Sequence, residues 1–339
     1  MLSTSDHSPS APTSAVTLHR TLAAHNRGRL EPVPETTDWQ SALRLAHEMA
    51  QRECAWIERE RAIVAPLLSS VPTDPDGFVL WFESLASWGP GQGDPLFPWL
   101  ASMADREPMR WFLRQELAGE AGFEDLVALT QVKLAPVAKL EMARNYWDEM
   151  GRGNAQAMHG PMLDALEAEL DLGSIAGEPV WESLALANLM LALASHRHLA
   201  YQSVGALGVV ELTAPARCEA VNDGLRRLGV GGAARRYYAV HATIDIKHSE
   251  AWNQEVLRPL VAADANTARP LAEGALLRLL AGARCFARYR RELGVAPMLT
   301  GSSRSARSRP MGSENSREWR TPSQSHTNFM HRGSGSEPR

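Results

Sequence analysis

The segment His241-Ala-Thr-Ile-Asp245-Ile-Lys-His248 carries two imidazoles and one carboxylate at positions i, i+4 and i+7. In a helix of about 3.6 residues per turn, these positions lie on one face. Imidazole and carboxylate are ligands for iron, manganese or zinc, and three convergent donors leave coordination positions open for oxygen or a substrate. The spacing therefore predicts a metal site, although a surface helix that carries two histidines by chance would show the same pattern.

Further donors lie upstream of this segment. Glu211 stands in the apolar run Gly-Val-Val-Glu-Leu, and Glu149 precedes His159 by ten residues in a stretch that also holds Tyr146 and Trp147. A carboxylate in apolar surroundings needs a cation, a proton or a metal beside it, because an isolated buried charge is too costly. Helices that each contribute an inward Glu, Asp or His are typical of dinuclear carboxylate metal centres.

One more carboxylate could complete such a centre. Glu116 and Glu120 are four residues apart and share a helical face, and the sequence does not decide between them. Glu141 and Asp148, seven residues apart, are alternates in the neighbouring segment.

Composition limits the class of protein. Of 339 residues, 44% are hydrophobic, which allows a sizeable core. The net charge is -4, and residues 301–339 hold seven Arg against three Glu, so residues 1–300 carry -8. An acidic folded part argues against a nucleic-acid surface.

We expect a cytoplasmic protein with no membrane span, because there is no long apolar window and no secretory signal pattern. The cysteines, Cys54, Cys218 and Cys285, have no paired spacing and are expected to be reduced.

The chain divides into a helical domain between two polar tails. Residues 1–35 and 299–339 are rich in small polar residues without periodicity and are predicted to be disordered, and the Arg/Ser-rich part of the second tail is assigned no function. Residues 36–298 are predicted to be all-α, because strand alternation and nucleotide-binding glycine motifs are lacking. The apolar periodicity predicts helices over 38–66, with Leu43 and Leu45 in the apolar stripe, and over 77–88, 108–134, 179–210, 215–228 and 269–294.

The segment Glu141-Met-Ala-Arg-Asn-Tyr-Trp-Asp-Glu149-Met-Gly-Arg-Gly, taken with His159, Glu211 and the His241 to His248 triad, resembles the iron-containing redox enzymes of the heme-oxygenase-like diiron oxidase superfamily. The resemblance covers roughly residues 105–265. It implies a seven-helix heme-oxygenase-like bundle without heme, two Fe(2+) per chain and O2 as cosubstrate. It also implies N-oxygenation, desaturation or carbon–carbon cleavage of an amino acid, amine or fatty acid, in secondary metabolism.

The resemblance also implies the metal ligands, which are Glu149, His159, Glu211, His241, Asp245, His248 and one of Glu116 and Glu120. It does not fix the reaction, because relatives with these ligands differ in chemistry. Arg144, Tyr237 and Lys247 are the polar residues near these positions that we consider as substrate anchors.

The expected partners are a small-molecule substrate, a reductant or electron-donor protein and a second copy of the chain in a homodimer. Two alternative functions stay open. A cofactor-free oxidase of the same fold would use the histidines to contact its substrate. A non-enzymatic bundle would hold one metal or none and would present its apolar grooves to a partner.

Overall fold

The computed structural model describes residues 14–32, 38–120 and 122–296, which all belong to one compact unit, residues 1–298. Every regular element in these ranges is helical, so the predicted all-α fold class is confirmed. The α-helices are α1 (Ala15–Leu30), α2 (Trp39–Val64), α3 (Pro75–Trp88), α4 (Leu96–Ser102), α5 (Arg106–Gly119), α6 (Phe123–Thr130), α7 (Pro136–Glu149), α8 (His159–Leu170), α9 (Trp181–Ser195), α10 (Ala200–Arg227), α11 (Arg236–Ala251), α12 (Arg258–Ala263) and α13 (Ala268–Leu293). Short 3-10 helices cover Ala65–Leu68, Gly151–Gly153, Ala155–Ala157, Leu172–Ser174, Arg197–Leu199 and Ala265–Thr267, and a π-helix covers Trp252–Leu257.

Side-chain caps and glycine set several helix ends. The Asp38 carboxylate accepts hydrogen bonds from the backbone N–H groups of Gln40 and Ser41, and Asp74 accepts one from Gly77 at 2.7 Å. Such caps satisfy backbone N–H groups that have no partner within the helix. Helix α13 ends at Gly294, whose φ of 66° is a conformation that glycine adopts without strain.

Helix α10 forms the axis of the core and crosses α13 at backbone contact. A Cβ atom on Gly205 of α10 would lie 1.8 Å from the carbonyl oxygen of Leu271, and one on Gly274 of α13 would lie 1.8 Å from that of Gln202. No side chain fits at either position, so this reciprocal glycine pair fixes how closely the two helices pack.

Helices α7, α10 and α11 surround one interior space. Helix α11 packs against α10, and the π-helix that continues α11 packs against α7. Trp252 of the π-helix lies directly over Gly208, where a Cβ atom would come within 2.6 Å of the indole. The facing sides of α7, α10 and α11 are thereby held together.

The prediction of a disordered segment over residues 1–35 is wrong for residues 15–30. These residues form α1, which packs against α9, and Asn26 Nδ2 donates a hydrogen bond to Asn188 Oδ1 at 2.8 Å. The apolar part of the buried face is only Leu18 and Leu22, and buried His19 and Asn26 interrupt it, so the periodicity was too weak to recognise. Residues 1–13, 33–37 and 299–339 lie outside the described residues.

Three predicted helices have the wrong limits. The single helix over 108–134 is broken into α5 and α6, and Gly122 has a φ of 73° at the break. The separate helices over 179–210 and 215–228 are wrong as well. The chain breaks between Ser195 and Ala200 instead, and α10 continues through Pro215, whose missing N–H removes only one helical hydrogen bond.

The predicted apolar stripe of α2 is correct only in part. Leu43 and Leu45 are exposed, whereas Met49 and Trp56 are buried.

All three cysteines are free thiols, of which Cys54 is exposed. No helix in the described part of the chain is long and apolar enough to span a membrane.

The glycine crossing predicts a large difference between two glycine substitutions. Gly274→Ala should lower the free energy of unfolding by about 3 kcal/mol, because the new methyl group must push the two backbones apart. The matched control is Gly28→Ala on α1, where a Cβ atom would meet nothing within 4 Å. It should raise stability by up to about 1 kcal/mol. Urea unfolding of both variants tests this, and equal effects would contradict the close crossing.

Burial of His19 predicts a pH dependence of stability. The ring lies between Trp56 and Trp181, at centroid distances of 4.7 and 5.6 Å, and burial, followed by the charges of Arg284 and Arg59, lowers its pKa from 6.5 to about 4. The unfolded chain therefore binds a proton between these pH values that the folded chain excludes, so stability falls as the pH falls from 6.5 towards 4.

The variant His19→Gln cannot take up this proton. Its free energy of unfolding should depend on pH less steeply, by up to about 1 kcal/mol per pH unit in this window. Denaturant melts of both proteins between pH 6.5 and 4.5 measure the two slopes. Parallel curves would show that His19 is not the group that titrates.

Candidate metal centre

A sharp turn after α7 brings Glu149 and His159 together. Glu149 is the last residue of α7, and all of Gly151–Gly153 have positive φ. A Cβ atom on Gly151 would lie 2.6 Å from the carbonyl carbon of Ala157, so the returning chain requires glycine there. Helix α8 then starts with His159, whose Nδ1 lies 3.1 Å from Glu149 Oε2.

Helix α11 presents three buried donors on one face, which are His241, Asp245 and His248. The His241 Nδ1–H donates to the carbonyl oxygen of Tyr237 at 2.7 Å, so the lone pair lies on Nε2, which is 3.6 Å from Glu149 Oε2. These contacts fix which imidazole nitrogen of His241 is free to bind a metal.

The tautomer of His248 is set by Asp148, which the sequence suggested only as an alternate ligand. His248 Nε2–H donates to Asp148 Oδ2 at 3.2 Å, so Nδ1 turns towards the carboxylates. Glu211 enters from the middle of α10, with Oε2 3.5 Å from His248 Nδ1. Its other oxygen accepts a hydrogen bond from Asn145 Nδ2 at 2.7 Å, which holds the carboxylate in place.

The two oxygens of Glu149 face two different groups of donors. Oε2 faces His159 and His241, whereas Oε1 lies 3.8 Å from Nδ1 of His248, beside Glu211. In each group, one donor atom per residue lies within 4.8 Å of the others. Two buried trios therefore share one carboxylate.

The structure thus brings six of the predicted site residues into one region, here called the cluster: Glu149, His159, Glu211, His241, Asp245 and His248. Several of its atoms are buried without a hydrogen-bond partner among the described residues, namely both ring nitrogens of His159, Asp245 Oδ1 and His248 Nδ1. An unsatisfied buried polar atom costs about 1–3 kcal/mol, so four in one place are unusual. Nitrogen and carboxylate oxygen are the ligands of iron, manganese and zinc, so this donor set fits such a metal.

The carboxylates of the cluster are too close for all of them to be charged without a cation. Burial, then the charges of Glu211 and Glu149, raises the pKa of Asp245 to about 10. Burial also tends to raise the pKa of Glu149, but its hydrogen bonds and ionic contacts with His159 and His241 outweigh burial and lower the pKa. Positive charge next to Glu149 is therefore a condition for its ionisation.

The histidines respond to the same charges. Burial tends to lower the pKa of His159, but contact with Glu149 and the charge of Glu120 raise it to about 9. In the same way Glu211 overcomes burial and raises the pKa of His248 to about 9. A metal must displace these protons, so metal binding should release protons and strengthen as the pH rises.

Glu120 and Glu116 differ in whether they border the cluster. Glu120 lines the cavity of about 50 Å³ beside the cluster, together with His159, His241 and Asp245. It follows the last residue of α5 and has extended backbone angles, so it does not share a helical face with Glu116. Glu116 does not line this cavity but a neighbouring one, which Glu120 also lines.

Other residues differ from the prediction or were missed. Glu141 is paired with Arg144 outside the cluster. Arg144 and Lys247 are exposed, whereas Tyr237 stacks on His159 with ring centroids 4.8 Å apart.

The sequence interpretation missed Glu124, whose Oε2 lies 3.7 Å from His159 Nδ1. Gly122 was the signal in the sequence that could have pointed to Glu124. A new helix starts after this glycine, and Glu124 lies in its first turn.

Comparison with known protein families agrees with this chemistry. A family model described as "Iron-containing redox enzyme" matches residues 110–283, which is more than half of the chain and includes the whole cluster. The chain belongs to the iron-containing redox enzyme family. The resemblance seen in the sequence is thereby confirmed.

Solved structures similar to this iron-containing redox enzyme include two of a CADD-like protein of unknown function from Nostoc punctiforme PCC 73102. They are 18% and 15% identical to it, with TM-scores of 0.42 and 0.43. Each match covers 72% of this chain, and 99% and 96% of the two matched chains. No curated protein matches the chain.

The raised pKa of Asp245 predicts that Asp245→Asn separates folding from metal binding. At pH 7 the metal-free protein should keep its stability to within about 0.5 kcal/mol, because Asn has the shape of the protonated carboxyl. The rise in melting temperature on adding Zn(II) or Fe(II) should shrink, because Asn cannot supply a carboxylate. Thermal unfolding with and without metal measures both. Asp164→Asn, at an exposed position of α8, is the control, and an undiminished metal effect in Asp245→Asn would refute a ligand role.

Proposed function

We propose that this protein is a non-heme diiron oxidase that uses O2 to oxidise a small organic substrate of the amino acid, amine or fatty acid class. The observation that carries the proposal is the position of Glu149, whose two oxygens face two buried trios of donors. A carboxylate between two groups of ligands suits a bridge between two metal ions.

The number of donors favours two ions over one. The cluster offers three imidazoles and three carboxylates, and Glu120 lines the same cavity. One octahedral ion cannot use all of them and keep positions open for O2 and a substrate. His159 and His241 would hold one ion and His248 and Glu211 the other, and Glu149 would be shared between them. Two ferrous ions there would supply the electrons and open coordination positions needed to react with O2.

The surrounding residues fix the donors before any metal binds. The Tyr237 carbonyl accepts a hydrogen bond from His241 Nδ1 and Asp148 accepts one from His248 Nε2, so the other ring nitrogen of each histidine faces the cluster. Asn145 holds Glu211, and Tyr237 covers one face of His159. Such outer contacts raise the basicity of ligands and restrict their rotation. Burial of the whole cluster excludes water from the reaction space.

A reductant is part of the proposal. Desaturation or N-oxygenation supplies fewer electrons than the full reduction of O2 to water consumes, so a small reductant or an electron-donor protein must supply the rest.

Iron stoichiometry tests the proposal. Protein reconstituted anaerobically with excess Fe(II) should bind about two irons per chain by elemental analysis, and should consume O2 when a reductant is present. Glu149→Gln should bind markedly less iron, because the shared carboxylate is lost. Glu141→Gln, on the same helix but outside the cluster, should bind as much as the unaltered protein.

The other outcomes point to the alternatives. A limit of about one iron per chain would indicate a mononuclear site or a metal-binding bundle. No iron, together with binding of an organic ligand that depends on the histidines, would indicate a cofactor-free oxidase.

A further inference from the structure

A second cavity adjoins the cluster and differs from it in charge. It has a volume of about 100 Å³ and shares Glu120, Val210, Ala214, Cys218 and Tyr237 with the cavity beside the cluster. This is room for several water-sized groups. A molecule in the second cavity could therefore reach the cluster past these shared residues.

Two arginines from different helices line this second cavity. Arg217 lies on α10, six residues after Glu211, and Arg278 lies on α13. Their positions are set by neighbours, because the guanidinium of Arg217 lies over the Phe286 ring at 5.6 Å. A side chain at position 282 would come within 2.9 Å of Arg278 Nη1, so Gly282 leaves Arg278 its space.

The guanidinium groups of Arg217 and Arg278 have no partner in the part of the chain that the structure describes. Among the residues that the structure describes, neither forms a hydrogen bond with another residue or an ion pair within 4.0 Å. Most other core-facing arginines do have partners: Arg29 binds Glu53, and Arg284 binds Glu60. Burial, and for Arg217 also repulsion by Arg278, lowers the pKa of both arginines, that of Arg217 to about 10. Both therefore remain cations at neutral pH.

The acid groups of the cavity do not neutralise the pair. Glu116 lines the same wall, but it is not within ion-pair distance of either arginine, and burial raises its pKa in spite of their charges. Two half-buried guanidinium groups that line one cavity, neither of them paired with an acid, suit an anion that fills the space between them.

We propose that Arg217 and Arg278 bind the carboxylate of the substrate, whose carbon chain then extends past Tyr237 to the cluster. The inference rests on the proposed function and narrows its substrate class to carboxylic acids, including amino acids and fatty acids. Arginine suits this role because its planar donors match a carboxylate in pairs. Glu120 lines the same cavity and would repel a second negative charge, so a monoanion is favoured over phosphate. An amine without a carboxylate would be repelled, because its ammonium group has the same charge as the two arginines.

Ligand titrations on the full chain, metal-free and iron-loaded, test this inference. The probes are hexanoate, its neutral counterpart hexanamide, hexylamine and inorganic phosphate, measured by calorimetry or thermal shift. Hexanoate should bind at least tenfold more tightly than any of the other three, in both forms of the protein. Equal binding of hexanamide, or tighter binding of phosphate, would overturn the proposal.

Substitutions assign the effect to the two arginines. Arg217→Gln and Arg278→Gln should each weaken hexanoate binding at least tenfold and leave hexanamide binding unchanged, which a general loss of packing would not do. Arg217→Lys should recover part of the affinity if the Gln variant folds poorly. Arg226→Gln, at an exposed position on the same helix as Arg217, is the control and should bind like the unaltered protein.

The metal dependence separates this inference from the proposed function. If hexanoate binds only to the iron-loaded protein and the arginine variants bind it normally, the carboxylate lies on the metal and the inference is wrong. If the chain binds no iron but hexanoate still requires both arginines, the anion site stands and the diiron proposal fails.

Discussion

The free energy of placing several carboxylates in one small dry space is the constraint on which this structure depends. Glu149, Glu211 and Asp245 come from three helices and meet where water cannot screen them. In the metal-free protein their repulsion is relieved by the proton that Asp245 keeps and by imidazoles at close range. The packing of α7, α10 and α11 therefore does more than bury apolar area. It also opposes electrostatic repulsion between the three carboxylates.

Much of the candidate site could be predicted from the sequence, but the residues differ in how they could be found. His241, Asp245 and His248 follow from helical periodicity alone, because no break separates them. Glu149 and His159 could not be found from periodicity. Three residues with positive φ lie between them, so no ideal helix relates their side chains. Only resemblance to a known family joined those two. Glu120 was undecidable beside Glu116 because the choice depends on where α5 ends, and helix ends are set by local contacts that spacing does not show.

The fold was predictable in class but less so in its connections. The apolar run through α9 and into α10 hides the break at His196, because residues on both sides are buried. Pro215 led to a helix boundary that does not exist. Proline usually marks the start of a helix, but here it lies inside α10, which tertiary contacts stabilise on both sides of it. Helix α1 shows a third case, in which polar residues form much of the buried face. In each case, packing between distant parts of the chain outweighed the local preference.

The π-helix at Trp252–Leu257 has a consequence for how chains of this kind can vary in length. A π turn holds one more residue than an α turn, and this one begins directly after the helix that carries the three α11 donors. One residue inserted or deleted between His241 and His248 would rotate the following donor by about 100° out of the cluster. A residue gained or lost after Trp252 would change the width of the π turn and leave the three donors in place. Insertions and deletions should therefore be eliminated between His241 and His248 and better tolerated after Trp252, whose contact with Gly208 fixes its own position. The helix thus has one stretch whose register is fixed by chemistry and a following stretch that can vary more in length.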